Sequence, residues 1–187
     1  YTMSIAYLLL LLFFLLVVVL VFLYNRLVKQ QLLVKEGWSG IGTYLQQRND
    51  LIPNLVETVK GSTLHESSTL RTIVECRNQV QESRLPGDQI KASNQLNTAL
   101  NNFFAVAEAY PDLKANQNFL QLQQDLGEVE SNLNQSRRYY NATVRNFNAS
   151  VAVFPSNLVA GLFQFQPAPF FEESDEAKTV PPIRFGA

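Results

Sequence analysis

The chain has 187 residues, a formal net charge of −1, one cysteine and one histidine. The near-neutral charge gives no basis for nucleic-acid binding, which needs a basic face. Metal centres and Cys/His nucleophiles need several such side chains, so Cys76 and His65 alone predict no metal, no cofactor and no chemistry of that kind. Sparse Gly and Pro across the middle, with abundant Leu, Gln, Asn, Glu and Ala, favour helix over sheet.

The N-terminal segment is an apolar run of nineteen uncharged residues from Ile5 to Leu23. As a helix it would be about 28 Å long at about 1.5 Å per residue, close to the thickness of a bilayer core. A secretory signal peptide is disfavoured, because the run is too long and has neither a preceding basic residue nor a following small-x-small cleavage site. Residues 1–24 are therefore predicted to be a transmembrane anchor, with the lipid bilayer as a partner.

The charges around the run predict its orientation. In the given sequence no Lys or Arg precedes it, whereas Arg26, Lys29 and Lys35 follow it. The positive-inside rule then places the rest of the chain in the cytoplasm. The exported side is the alternative, because N-x-S/T sequons begin at Asn134, Asn141 and Asn148.

The first helix is expected to continue out of the membrane. A mostly apolar 4-3 spacing joins Leu27, Gln31, Val34, Trp38, Ile41, Leu45 and Arg48. Gly37, Gly40 and Gly42 weaken this helix and would let a neighbouring helix approach closely. Trp38 suits a core anchor, and together with Gly37 and Gly40 it is a predicted contact of a homo-oligomer.

The stretch Gln46–Gly61 is interpreted as the corner between two helices. Asn49 or Asp50 would cap the second helix, and Pro53 would lie in its first turn. Leu85-Pro86-Gly87-Asp88 would stop that helix. Glu66 and Arg77 fall on its inward stripe, where charges pair across a bundle or lie at its mouth.

Two further helices complete the predicted fold. The third spans about 89–109 with Asp88 as its cap, and the fourth about 113–154 with a heptad seam of about five repeats. The segment 158–165 would cover the bundle end or touch the membrane, and 166–187 is a Pro-rich acidic tail, predicted to be extended. The fold class is thus all-α, with the anchor continuing into an antiparallel up-and-down bundle of about four long helices over residues 25–165.

Polar residues near the predicted corner form the candidate site. They are Arg48, Asp50, Asn54, Glu57 and Lys60, with Arg137, Tyr140 and Asn141 on another helix. The favoured interpretation is a structural clasp that fixes the turn, in which Glu57 and Lys60 pair at a spacing of three. The alternative is a surface that binds an anionic ligand or a peptide terminus. No Gly-rich phosphate loop or nucleophile elbow occurs, so no enzymatic activity is expected.

The chain resembles the LemA family of bacterial proteins over nearly its whole length after the anchor. The resemblance rests on YNRLV at 24–28, WSGI at 38–41, RNDLIPNLVETVKG at 48–61, AVAEAYPDLKANQNFLQLQQDL at 105–126, RRYYNATVRNFN at 137–148 and FPSNLVAGLFQFQPAPFF at 154–171. It implies a single-pass protein of the bacterial inner membrane with an antiparallel helical bundle and no established enzymatic activity. The chain departs from the commoner pattern at Gly37 and in the tail after Glu173.

Two functions follow from these expectations. In the first, the protein is a membrane-anchored scaffold that self-associates beside the bilayer as a homo-oligomer. In the second, it is an anchored module that recruits another protein through its bundle or its tail.

Overall fold

The computed structural model describes residues 2–60 and 67–171, and every regular element within them is a helix. The helices are α1 (Thr2–Lys60), α2 (Ser67–Glu82), α3 (Pro86–Ala107), α4 (Pro111–Lys114), α5 (Gln117–Ala152) and α6 (Ser156–Leu162). The all-α class is confirmed. Glu66, His65 and tail residues 172–187 lie outside the described residues.

Helix α1 contains the predicted anchor. It is the one candidate membrane span in the described part of the chain, and its most apolar window has a mean hydropathy of 3.4 with none of it buried in the protein. A helix of this length and composition is consistent with a membrane anchor.

The predicted corner at Gln46–Gly61 is wrong, because α1 continues through it to Lys60 with Pro53 inside the helix. Proline has no N–H, so the carbonyl of Asn49 four residues earlier loses its helical donor. The Nε of Arg77 on α2 donates a hydrogen bond to that carbonyl oxygen at 3.0 Å. The arginine replaces the missing bond, and the first long helix extends at least to Lys60 and does not end near Arg48.

The start of α3 lies slightly earlier than predicted. Leu85 is the residue at its N-cap and Pro86 occupies the first turn, while Asp88 contributes a carboxylate to that turn without acting as the cap. Proline suits this position because the first N–H groups of a helix have no intrahelical acceptor.

The predicted fourth helix is divided into the short α4 and the long α5. Ala115 and Asn116 separate them. The Oδ1 of Asn116 accepts hydrogen bonds from the backbone N–H groups of Asn118 at 3.0 Å and Phe119 at 3.3 Å. These two bonds satisfy the first donors of α5, as an N-cap side chain does. The sequence predicts one continuous helix over about 113–154, and Asn116 was missed as the cap of its longer part.

The described residues fall into two compact units. The first unit comprises residues 2–40 and 136–170, and the second comprises residues 41–60, 67–135 and 171. The predicted division into anchor, bundle and tail at residues 24 and 165 follows composition, and it stays a prediction.

The second unit has the larger apolar core, to which α1 to α5 all contribute. Its fully buried members include Ile52, Leu55, Val59, Ile73, Leu96 and Phe103. Phe103, Phe104 and Phe119 form an aromatic group with ring centroids 5.5 to 6.2 Å apart. Helices α2 and α3 pack against each other in this unit.

The first unit is built on a close approach of α1 and α5. A Cβ at Gly37 would lie 3.2 Å from the Tyr140 Cα, so a larger residue there would need the two helices to move apart by a few tenths of an ångström. Trp38 packs against the ring of Tyr140 at 5.5 Å in an edge-on geometry. Gly37 and Trp38 therefore have neighbours within the chain, whereas a Cβ at Gly40 would meet no atom within 4 Å.

Candidate functional site

The second unit buries one charged side chain, Arg48, which is 1% exposed. Its side chain lies on the buried face of α1, among the apolar residues of the second unit. Nη1 lies 3.1 Å from Glu130 Oε2 on α5, and Nη2 donates to the Oγ of Ser93 on α3 at 2.7 Å. A second, longer bond of 3.3 Å joins Nη2 to the Ser93 carbonyl oxygen. One arginine thus joins three helices.

A pocket of about 380 Å³ opens beside this ion pair. Arg48 and Glu130 contribute to its lining together with the side-chain amides of Asn97, Asn101 and Gln123. Leu100, Phe104 and Leu126 form an apolar wall. Donors and acceptors beside an apolar wall suit a small polar group with an apolar neighbour, such as the end of a peptide or a partner's side chain.

The other predicted site residues of α1 do not join this pocket. Asp50 is exposed and accepts a hydrogen bond from Gln46 Nε2 at 2.7 Å, and the carbonyl of exposed Asn54 accepts one from Thr58 Oγ1. Lys60 Nζ lies 3.7 Å from Glu57 Oε2, with both side chains largely exposed. Local pairs along the helix account for these four residues.

The remaining predicted residues, Arg137, Tyr140 and Asn141, belong to the first unit. Tyr140 is buried, and its hydroxyl donates to the Pro169 carbonyl oxygen at 2.8 Å. Burial raises the pKa of Tyr140 above its usual range, so the hydroxyl remains a neutral donor. Arg137 and Asn141 are half-buried.

Sequence reasoning missed Ser93 and Glu130, the two partners of Arg48. A signal was available, because Glu130 follows Leu126 by four and precedes Leu133 by three, which puts it on the apolar seam of α5. Ser93 occupies the same kind of position between Ile90 and Leu96. A charge and a hydroxyl on two apolar stripes indicate a buried polar partner on a third helix.

Cys76 is a buried thiol in the second unit. Burial, assisted by the neighbouring Glu75 carboxylate, raises the pKa of Cys76 and favours the protonated form. Reactive cysteines need a stabilised thiolate, so this environment argues for a small apolar core residue. In the described residues no group of three or more His, Cys, Asp or Glu side chains is placed to hold a metal ion.

Comparison with known proteins bears on the identity of the chain. A search of curated proteins finds no match. The model of the LemA family matches residues 37–185, which include the Arg48 network, α2 to α6 and most of the tail. Because this match covers most of the sequence, the chain belongs to the LemA family.

Proposed function

We propose that this LemA-family protein is a membrane-anchored scaffold whose helices self-associate beside the bilayer. In this proposal the extramembrane helices form an antiparallel up-and-down bundle of about four long helices on the cytoplasmic side, and the protein performs no catalysis. The observation that carries it is α1, which contains an apolar window with no buried residue and, further along, an open glycine position.

The apolar window supports anchoring. Large side chains such as Leu11, Phe13 and Leu16 are exposed on this part of α1. Exposed apolar surface of that extent is stable only against lipid or another apolar surface. The helix satisfies its own backbone hydrogen bonds, as a membrane span must.

Gly40 supports self-association. The space around its Cα is open, so the backbone of a second helix can approach there more closely than at a residue with a side chain. Gly37 and Trp38, the other predicted contacts between copies, pack against Tyr140 and are less suited to a test of assembly.

The test is the mass of the full-length protein in lipid nanodiscs at raised concentration, with Gly40→Leu and Gly42→Leu variants. The two glycines are about 200° apart around the helix axis, at about 100° per residue, and both have open space. We expect an oligomer for the unaltered protein and for Gly42→Leu, and a monomer for Gly40→Leu. A monomeric unaltered protein would overturn the scaffold proposal.

The pocket beside Arg48 favours a second candidate function, an anchored module that recruits another protein. Its test is photo-crosslinking in native membranes from Asn101, which lines the pocket, and from adjacent Asn102, which is exposed outside it. A discrete adduct with another protein from position 101 alone supports recruitment. Adducts only between copies of this chain, or equal yields from both positions, count against it.

A further inference from the structure

We infer that the end of α5 and the short α6 form a second membrane contact, in the headgroup and upper acyl region of the bilayer that holds α1. The contact surface, here named the apolar corner, comprises Val153, Phe154, Leu158, Leu162 and Phe163. The inference rests on the proposed membrane anchoring and adds a surface that anchoring by α1 alone does not need.

The apolar corner is an exposed patch of large side chains. Phe154 is 74% exposed and Leu162 is 73% exposed, and the other three members are exposed as well. Leu158 and Leu162 are four residues apart and lie on one face of α6, whereas Val159 and Ala160 are buried on the other. Since α6 is apolar on both faces, its outer face needs an apolar environment of its own.

The patch lies where the membrane span ends. The Phe163 ring is 4.7 Å from the ring of Tyr24, and the Phe165 ring is 5.9 Å from it. Tyr24 directly follows the uncharged run and is the kind of residue found at the membrane–water interface. Contact with Tyr24 therefore brings the apolar corner to the level of that interface.

Charge is absent from this part of the sequence. No Asp, Glu, Lys or Arg occurs between Arg145 and Glu172. Arg26, two residues beyond Tyr24 on α1, is exposed and suits the phosphate layer. The apolar corner can thus enter the membrane–water interface without desolvating a charged side chain.

Hydrogen bonds hold the chain after α6 against α5. The Asn148 side chain accepts from the Ala168 N–H at 2.8 Å and donates to the Ala168 carbonyl at 2.9 Å. Tyr140 donates to the next carbonyl, that of Pro169. These bonds fix the return path of the chain, so the apolar corner is a defined surface of the first unit and not a loose tail.

Lipid is the occupant that these observations favour, because the corner continues an apolar surface that already belongs to the membrane anchor. A second copy or another protein would have to bind against the bilayer itself. The patch also has the composition of an interfacial segment, with Phe and Leu as its outer side chains.

The experiment uses spin labels on the full-length protein in liposomes, with Cys76→Ala as the background. Labels at Leu158→Cys and Leu162→Cys report on the corner, and a label at Leu16→Cys reports on the span. Tyr139→Cys is the matched water control, because Tyr139 is an exposed aromatic beside Gly37, about 20 Å from Tyr24 along α1 at about 1.5 Å per residue. Each label's collision rates with oxygen, which partitions into lipid, and with a water-soluble nickel complex give its depth.

We expect the ratio of oxygen to nickel collisions to be highest at position 16, intermediate at 158 and 162, and lowest at 139. Corner labels as nickel-accessible as position 139, with position 16 deep, would overturn the inference and leave anchoring intact. A nickel-accessible label at position 16 would overturn anchoring as well. Corner labels sheltered from both reagents would mean that protein covers the patch, which also overturns the inference, and dipolar broadening would then identify a second copy.

Discussion

The two units of this chain are stabilised at their centres by different chemistry. The second unit encloses a guanidinium that joins α1, α3 and α5 through Glu130 and Ser93. The first unit depends on shape, with the backbone of α5 against Gly37 and the ring of Tyr140 against Trp38. A charge pair fails when either partner is lost, whereas a close backbone contact fails when volume is added. The second unit should therefore respond to charge and the first to size.

The largest expected effect is at the buried ion pair. Glu130→Leu leaves Arg48 buried without its carboxylate, and we expect a loss of about 3 kcal/mol in the free energy of unfolding. Arg48→Met should cost less, because the Glu130 side chain is 23% exposed and can hydrate. The double variant should recover much of the loss. Urea unfolding of the detergent-solubilised protein followed by circular dichroism measures all three, and strictly additive losses would contradict the coupling.

The next effect is at the proline inside α1. Arg77→Met removes the donor to the Asn49 carbonyl, and we expect a loss of about 1.5 kcal/mol, as for a hydrogen bond from a charged group. In a Pro53→Ala background the helix supplies its own donor, so Arg77→Met should cost clearly less. The same urea unfolding measurement gives the double-mutant cycle. Equal losses in both backgrounds would show that Arg77 stabilises the protein by another route.

A smaller effect with opposite signs distinguishes two glycines of the first unit. Gly37→Ala places a Cβ against the Tyr140 backbone, and we expect a net loss of about 1 kcal/mol from overpacking. The Cβ added by Gly40→Ala meets open space, so we expect the free energy of unfolding to rise by about 0.5 kcal/mol from the better helix propensity of alanine. Thermal unfolding of the two variants compares them directly, and a gain at both positions would contradict the close approach of α1 and α5.

The smallest effect is at the exposed pair on α1. Glu57→Lys breaks a 3.7 Å contact between two largely exposed side chains. We expect the free energy of unfolding to change by less than about 0.5 kcal/mol. Circular dichroism and the mass in nanodiscs should match the unaltered protein. A variant that keeps its fold and assembly but loses activity in cells would assign Glu57 to a binding surface.

Much of the fold is visible in the sequence. The 4-3 spacing on α1 predicts an inward-facing set of apolar residues, and its members Leu27, Val34, Ile41 and Leu45 are buried. Pro86, Pro111 and Pro155 mark breaks between helices because each stands beside further turn residues. Local patterns of this kind suffice wherever a helix boundary depends on nearby residues.

Pro53 shows where such reasoning stops. The sequence predicts Pro53 in the first turn of a new helix, but α1 continues through it because Arg77, 24 residues away in the sequence, supplies the donor. The prediction of the candidate site was incomplete for a similar reason. Arg48 was identified, but its partners come from two other helices, and spacing within one helix does not reveal which residues meet.

The bond from Arg77 to the Asn49 carbonyl has a consequence for how this family can vary. A lineage that replaces Pro53 by an ordinary helix former restores the helical hydrogen bond to the Asn49 carbonyl. Arg77 can then be substituted without leaving that carbonyl unpaired. A lineage that loses Arg77 first keeps an unpaired carbonyl in α1 until the proline is also replaced. Inheritance should therefore couple these two positions, with the proline rare among relatives that lack the arginine.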